Sequence, residues 1–198
     1  DGIQLDAALL NFSKAFDKVN HRKLCLKLKY YGIRGEILNW IRDYLRNRNS
    51  VAVTSGVPQG TVLGPLFFPI YVNNLSDSVK FQIFFFADDS IVYNTITSIA
   101  DCKILQSDLN ALSLWSKNWD MEFNTDKCKI LTITNKKNIH KHQYKMENSN
   151  LENVKQEKYL GVIINIKLSW LPHSKMISGR AKFKRQFHER NLRTCNRD

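Results

Sequence analysis

Cysteine is scarce in this sequence, and its spacing excludes the common disulfide and zinc frameworks. The four cysteines lie at positions 25, 102, 128 and 195, and no two of them form a CxxC pair. His140 and His142 lie near Cys128, but a structural zinc site usually needs a second paired motif, which the sequence lacks. We therefore expect reduced thiols, no disulfide-linked partner and no zinc centre.

Long hydrophobic runs are also missing. No apolar stretch reaches the length of a membrane span, and the sequence has no signal peptide, internal repeat or low-complexity segment. We expect no membrane partner. The length of 198 residues and the hydrophobic fraction of 43% predict a globular core with room for one domain and an appendage. Because the sequence starts at Asp1 without a methionine and enters strand-like sequence directly, we interpret it as a piece of a longer protein.

Acidic residues are few, at 18 against 30 Lys and Arg, which gives a formal net charge of +12. Such an excess commonly accompanies a polyanionic partner, and nucleic acid is the first candidate. Half of the excess lies in the last 24 residues. A solvated basic tail and a docking surface both account for this terminal charge.

The stretch that most clearly indicates a chemical site runs from Phe84 to Tyr93 and contains two adjacent carboxylates, Asp88 and Asp89. Aromatic and β-branched residues on both sides predict a hairpin of two strands buried deep in a sheet, with the acids at its turn. A solvated Asp pair is the plain alternative, since Asp favours turns. A carboxylate pair in a partly dry site, however, usually has a cation, so the stretch favours a metal and phosphate site.

The remaining elements predict the order βαββαβ. A first strand covers residues 3–12, helices follow Asn20 and cover 35–46 and 62–75, and Ser98 with Asp101 forms a capping box for a long helix. The inner faces of the first two helices are assigned to Leu24, Leu28 and Tyr31 and to Ile37, Leu38, Ile41, Tyr44 and Leu45. The apolar stripe of the long helix is assigned to the core and comprises Cys102, Leu105, Leu109, Leu112, Trp115 and Trp119. Strands follow at 129–134 and 159–164, and the polar stretch 135–157 between them is interpreted as a surface connection or exposed hairpin. Arg42 and Arg46 on the second helix face either solvent or a phosphate backbone, and of the two we favour a plain polar outer face. This order predicts an α+β fold with a four-stranded antiparallel sheet backed by helices.

Four motifs in this order resemble the reverse transcriptase of non-LTR, LINE-type retrotransposons. They are NFSKAFDKV from Asn11, SGVPQGTVLGPLFFPIYVNNL from Ser55, FFFADD from Phe84 and KYLGV from Lys158. The similarity extends from about residue 3 to residue 170. An intron-encoded maturase-type enzyme is a related alternative, but the second motif fits the retrotransposon group better.

The resemblance implies a polymerase palm over residues 1–134, an exposed hairpin and primer-supporting strand region over 135–171, and the start of a basic, helical thumb over 172–198. It implies RNA-directed DNA polymerase activity with two Mg²⁺ ions, an RNA template, a DNA primer and a dNTP, inside the cell in the nucleus or cytoplasm. The implied roles are metal binding and catalysis by Asp88 and Asp89, substrate binding by Lys14, Ala15, Phe16, Pro58, Gln59, Gly60 and Lys127, and primer support by Leu160 and Gly161.

Four departures from the family pattern predict a truncated copy that no longer polymerises. Asn11 stands where the family has its first catalytic Asp, and neither Asp6 nor Asp17 is placed to replace it. The stretch between Arg48 and Ser55 is short, Pro69 interrupts an expected helix, and a fingers segment is missing. The alternatives are a non-catalytic nucleic-acid-binding remnant and a relic without function.

Overall fold

The centre of the fold is a five-stranded sheet in a computed structural model that describes residues 2–46, 54–58 and 60–192. The strands are β1 Gln4–Asn11, β2 Gln82–Phe86, β3 Asp89–Thr95, β4 Lys129–Thr134, β5 Lys145–Met146, β6 Ser149–Asn150, β7 Glu152–Val154, β8 Gln156–Tyr159 and β9 Val162–Asn165. The helices are α1 His21–Tyr30, α2 Gly35–Arg46, α3 Gly64–Val72, α4 Ile99–Asn118 and α5 Leu171–Leu192, with a 3₁₀ turn at Asn73–Ser78.

The sheet order is β2-β3-β1-β4-β7, and its first four strands are antiparallel neighbours. The predicted βαββαβ palm is therefore confirmed. The first strand lies at the centre, between β3 and β4, and its apolar run of Ala7, Ala8, Leu9 and Leu10 is buried on both faces. A fifth strand, β7, extends the sheet in parallel to β4, which the sequence did not predict.

The second strand is less buried than predicted. Its alternate residues Phe84 and Phe86 are 53% and 64% exposed, so the prediction of two strands deep in the sheet was wrong for β2. The physical reason is topology: among the described residues β2 pairs only with β3, so it forms the edge of the sheet, and the face that carries Phe84 and Phe86 is exposed.

The long helix α4 follows its sequence pattern closely. The Ser98 side chain caps the Asp101 backbone amide while the Asp101 carboxylate accepts from the Ser98 amide, so the predicted capping box is present. The predicted apolar stripe of α4 is core, with Cys102, Leu105 and Leu109 fully buried. This helix fixes the sheet from behind and leaves the opposite face open for the site.

Two other helices differ in detail from the predictions. On α2, Ile37 is 65% exposed although it was assigned to the inner face, whereas Leu38, Ile41 and Leu45 are buried. Tyr31, assigned to the inner face of the first helix, is also exposed. The third helix continues through Pro69 to Val72, so the expected interruption does not occur there.

The stretch 135–157 is not simply a surface connection. Tyr144, Met146 and Leu151 are buried in the main core, and the Tyr144 hydroxyl donates to the buried Asp6 carboxylate at 2.7 Å. The predicted single strand at 159–164 is instead the β8–β9 hairpin, with its turn at Leu160 and Gly161. Local polarity misled the first prediction, because residues at wide sequence separation cover Tyr144 and its neighbours. The second was wrong because Leu160 and Gly161 both take positive φ and turn the chain back on itself.

The described cysteines, Cys25, Cys102 and Cys128, are buried free thiols, as expected. Burial raises the pKa of the Cys128 thiol to about 11, which keeps it protonated at neutral pH. Cys195 and the basic residues Arg193 and Arg197 lie outside the described residues. Within the described part of the chain, no helix combines the length and the apolar character that a bilayer crossing needs.

Candidate active site

The two carboxylates lie at the turn between β2 and β3. Ala87 takes a left-handed backbone conformation with φ 53°, which is uncommon for a residue with a side chain. Asp88 occupies the turn and Asp89 begins β3, directly opposite Asn11 in the antiparallel register. The backbone amide of Phe12 also donates to the Asp88 carbonyl at 3.0 Å. The turn therefore brings Asp88 and Asp89 to the end of the central strand.

Asn11 bridges the carboxylate pair. Its Nδ2 lies 2.9 Å from Asp89 Oδ1 and 3.3 Å from Asp88 Oδ2. One neutral amide thus donates to two half-buried carboxylates, which offsets the repulsion between them. An antiparallel palm order predicts that Asn11 ends a central strand within a few ångströms of Asp88, and the structure confirms this.

On one side of Asn11 lies an open cleft of about 630 Å³. Its lining brings together seven of the residues predicted from the sequence, namely Asn11, Lys14, Ala15, Phe16, Gly60, Asp88 and Lys127. Lys14 and Lys127 supply two cations opposite the Asp88 carboxylate. This polar, charged cleft has the composition expected of a site for a phosphorylated ligand with a hard cation.

The turn that follows β1 is held rigidly. Lys14 has φ 50°, and its carbonyl accepts from the backbone amides of Asp17 and Lys18 at 3.0 and 3.1 Å. Phe16 stacks on Phe68 of α3 with ring centroids 5.0 Å apart. The aromatic ring at the cleft wall therefore has a fixed position, set by a neighbour from another element.

The loop before α3 packs tightly on this turn. The Val57 amide donates to the Phe16 carbonyl at 2.8 Å. Gly64 is required here because an added Cβ would come within 2.1 Å of the Pro58 carbonyl oxygen. Pro58 itself is buried behind the cleft wall and does not line it, whereas Gly60 does. Gln59 lies outside the described residues.

A second cleft of about 390 Å³ lies on the other side of Asn11 and contains Asp89. Lys129, Lys158 and Tyr159 line it, so the β8–β9 hairpin forms part of its wall. Burial, with a smaller contribution from the Asp89 charge, raises the pKa of Tyr159. The two carboxylates therefore face different clefts, with Asn11 and Lys127 shared by both.

Leu160 and Gly161 form the turn of that hairpin and line neither cleft. Both have positive φ, 46° for Leu160 and 86° for Gly161. Glycine accepts this conformation freely, and the leucine beside it is exposed. Any role of these two residues therefore works through the backbone shape of the hairpin.

Sequence reasoning missed four residues that line the first cleft: Phe12, Ser13, Pro65 and Asn124. Asn124 is also an anchor, since its amide donates to the Asn11 carbonyl at 2.8 Å and its carbonyl accepts from Lys127 and Cys128. Its position three residues before Lys127 is the only signal that the sequence offers. Asp6, in contrast, lies in the core with Tyr144 and is not part of the site.

The donor set suits a divalent cation only in part. Asp88 and Asp89 offer carboxylate oxygens, which hard cations prefer. Asn11 presents its amide nitrogen to both acids, so as placed it contributes a hydrogen-bond donor instead of a third carboxylate. Among the described residues, no group of three or more His, Cys, Asp or Glu side chains is arranged to hold a metal ion.

Comparison with known proteins gives a consistent match. Residues 7–164 match the family model described as reverse transcriptase (RNA-dependent DNA polymerase). The chain is 29% identical, over 88% of its length, to a probable RNA-directed DNA polymerase from transposon BS of Drosophila melanogaster, and covers 22% of that protein. It is 27% identical, over 84% of its length, to an RNA-directed DNA polymerase from mobile element jockey of the same organism, and covers 20% of it. The chain thus spans about a fifth of these relatives.

Among solved structures, apo telomerase from Candida tropicalis, truncated from its C-terminal domain, is similar with a TM-score of 0.55 and 14% identity. The match covers 84% of this chain and 35% of the telomerase chain. A telomerase from the same organism in complex with a fragment of telomeric RNA matches with a TM-score of 0.53 at 13% identity, over 84% of this chain and 29% of the other. At this identity the likeness concerns the fold.

Proposed function

The chain belongs to the reverse transcriptase (RNA-dependent DNA polymerase) family, as the reverse transcriptase domain of a LINE-type, non-LTR retrotransposon, and we propose that it is a polymerase palm held inactive by Asn11. The observation that carries the proposal is the pair of hydrogen bonds from the Asn11 amide to Asp88 and Asp89. An acid at position 11 would bring a third negative charge to the place where the amide now donates to two carboxylates. The amide offsets part of the repulsion between Asp88 and Asp89 but supplies neither a charge nor a third carboxylate ligand.

The substrate roles follow from the first cleft. Lys14 and Lys127 would bind the phosphates of a dNTP, because they are the cations of the cleft that contains Asp88. Phe16, fixed against Phe68, would lie beside the sugar and exclude a 2′-hydroxyl by its size. Ala15 and Gly60 would shape the wall against which the nucleotide lies. Pro58 and Gln59 would support that wall from the loop.

The second cleft would receive the primer end. Asp89 faces it, and the β8–β9 hairpin forms its wall through Tyr159. Leu160 and Gly161 would hold the hairpin in the shape that supports the primer. Residues 172–198 would begin a thumb, since α5 is exposed along the described part of its length and carries a basic surface. Residues 1–134 would then be the palm and 135–171 the region that links the two.

Mg²⁺ is the expected cation, with two ions in the family pattern, and Asp88 and Asp89 are the residues that would hold it. When bound, such ions neutralise phosphate charge and activate the primer hydroxyl. With Asn11 in place the protein supplies two carboxylates, so the substrate phosphates must supply more of the coordination. We therefore expect weak metal binding and primer extension near background.

The test is primer extension on an RNA template by chimeras in which residues 3–170 replace the matching segment of an active relative, which provides fingers and thumb. The Asn11 chimera should extend near background, and Asn11→Asp should raise the rate at least ~100-fold, the scale of losing one electrostatic contact in an active site. Asp88→Asn in the Asn11→Asp chimera is the matched negative control. Robust Mg²⁺-dependent extension by the Asn11 chimera would refute the proposed lesion. If neither chimera extends although both are folded, Asn11 is not the sole lesion.

A nucleic-acid-binding role without chemistry is the second candidate, and the net charge of +12 favours it. The chain should then bind RNA and hybrid duplex with little sequence preference, and affinity should fall steeply with salt. Titration of labelled duplex at several salt concentrations measures this. Binding that is absent at low salt, or unaffected by salt, contradicts this role.

A further inference from the structure

Away from the carboxylates, the helices α1 and α2 enclose a separate cleft of about 580 Å³. Among the described residues, four cations line it: Arg22 and Lys29 from α1, and Arg42 and Arg46 from α2, and none of its described lining residues is Asp or Glu. The sequence favoured a plain polar face over a phosphate contact for Arg42 and Arg46, but in the structure they share a cleft with the two cations of the other helix.

These four charges are not neutralised by neighbouring side chains. In the portion of the chain that the structure describes, none of them forms an ion pair, and Arg42 has only a 3.4 Å contact to the Asn39 side chain. Lys18, Lys23 and Lys129, by comparison, each pair with an acid. Like charges gathered in one cleft repel one another, so the arrangement is favourable only toward an anion.

The spacing of the cations suits a chain of phosphates better than a single anion. Arg22 and Lys29 lie seven residues apart, so they are separated by ~10.5 Å along the helix. A base-stacked strand of nucleic acid carries a phosphate every ~3.4 Å of rise along its helix axis. The cleft therefore spans about three nucleotides of a stacked strand. The exposed Leu26 lies between the two cations on the same helix and offers an apolar contact.

The cleft is joined to the loop that packs behind the nucleotide turn. Thr54 lines the cleft, and its carbonyl accepts from the His21 backbone amide at 3.2 Å. The His21 ring nitrogen Nε2 donates to the Gly56 carbonyl at 2.7 Å, and Val57 donates to Phe16. A ligand in this cleft would thus lie against the same loop that supports the candidate active site.

We infer that the cleft between α1 and α2 is a second nucleic-acid site, which binds the phosphodiester backbone of a single strand outside the two clefts that contain Asp88 and Asp89. Its function needs neither metal nor catalysis. It holds about three phosphates of a strand through Arg22, Lys29, Arg42 and Arg46. If the cleft does not bind nucleic acid, the expected result of the primer-extension test is unchanged.

The experiment compares two variants of the full chain that each remove four positive charges. The cleft variant carries Arg22→Gln, Lys29→Gln, Arg42→Gln and Arg46→Gln. The control variant replaces four exposed lysines that lie outside the cleft: Lys103→Gln, Lys137→Gln, Lys155→Gln and Lys167→Gln. Affinity for a labelled single-stranded oligoribonucleotide and for its DNA counterpart is measured across a salt series, and unfolding midpoints check that both variants fold.

We expect the slope of log affinity against log salt to be smaller by about 2 in the cleft variant, since each phosphate contact in a single strand contributes ~0.7. At ~0.1 M salt this corresponds to about 100-fold weaker binding. The control variant should lose far less. Equal losses in the two variants would overturn the inference, because they would reflect net charge alone.

Further measurements identify the ligand and the position at which it binds. RNA and DNA should bind with similar affinity if the phosphodiester backbone is the ligand. If the cleft variant loses affinity for only one of the two, that nucleic acid is the ligand of the cleft. A photo-crosslinking amino acid at position Leu26 should capture the oligonucleotide, whereas the same probe at position Lys103 should not. If a polyglutamate peptide of equal charge binds the cleft as tightly as RNA does, the cleft is an acidic-protein surface and the inference fails.

Discussion

The exchange of Asn11 for Asp tests the electrostatic balance of the site directly. The native amide donates to Asp89 at 2.9 Å and to Asp88 at 3.3 Å. A carboxylate at position 11 removes both hydrogen bonds and places a third negative charge against the pair. The same change adds the ligand that a divalent cation lacks in the native chain. Asn11→Asp should therefore lower the free energy of unfolding in the absence of metal and increase the stabilisation that added Mg²⁺ gives.

The magnitude follows from these contacts. A hydrogen bond to a charged group contributes about 1.5–3 kcal/mol, and the half-exposed position of the acids favours the lower value, so the loss of two bonds costs ~3 kcal/mol. Repulsion between charges ~4 Å apart adds between ~1 kcal/mol in water and ~4 kcal/mol near a protein surface. In a metal chelator we therefore expect Asn11→Asp to lower the free energy of unfolding by at least ~3 kcal/mol.

Added Mg²⁺ should reverse much of this loss. A ligand at 100 times its dissociation constant stabilises the folded state by ~2.7 kcal/mol, and Asn11→Asp should gain about this much. The native chain should gain less than ~1 kcal/mol, because its carboxylates already have a donor. Denaturant titration of the full chain, with chelator and with a Mg²⁺ series, measures both quantities.

Asn11→Ala is the matched control, since it removes the amide without adding charge. It should lose stability in chelator but respond to Mg²⁺ less than Asn11→Asp does. If Asn11→Asp is as stable as the native chain in chelator, the amide contacts contribute nothing and the reasoning fails. A native chain that Mg²⁺ stabilises as strongly as Asn11→Asp would equally refute the claim that Asn11 impairs metal binding.

Two other changes test the surrounding fold. Gly64→Ala should lower the free energy of unfolding by about 1–3 kcal/mol, since its Cβ would meet the Pro58 carbonyl oxygen at 2.1 Å. Gly179→Ala is the control, because its Cβ would have no atom within 4 Å, and it should cost no stability in the same denaturant titration. For Lys27, burial lowers the ammonium pKa to about 8, against 10.5 unfolded, so the unfolded state binds more protons between these values. Unfolding curves across that window should show the native chain gaining stability relative to Lys27→Met as pH rises, and a constant difference would contradict the lowered pKa.

The sequence by itself determined the family, the order of elements and most of the first cleft. Motifs such as the Asp88-Asp89 turn report chemistry that the local sequence must supply, and the antiparallel palm order then requires Asn11 to meet them. The capping box at Ser98 and the stripe on α4 were also readable, because helix periodicity and caps depend on neighbours within one turn.

The tertiary structure alone decided which surfaces are covered. Phe84 and Phe86 have the composition of a buried strand, yet β2 is an edge, and strand order depends on partners far away in sequence. Tyr144 lies in a polar stretch, yet it is core, because its hydroxyl finds the buried Asp6. A local pattern cannot report a partner more than a hundred residues away.

The tertiary structure alone also decided two further features: the division of the site into two clefts, and the basic cleft between α1 and α2. Asn11 lies between Asp88 and Asp89 because the β1–β3 register puts it opposite Asp89 while the turn holds Asp88 within hydrogen-bond distance of its amide. Arg22 and Arg46 are each ordinary surface residues in their own helices, and only the packing of one helix on the other gathers them. Sequence patterns fix the face of each element, and long-range packing fixes what that face meets.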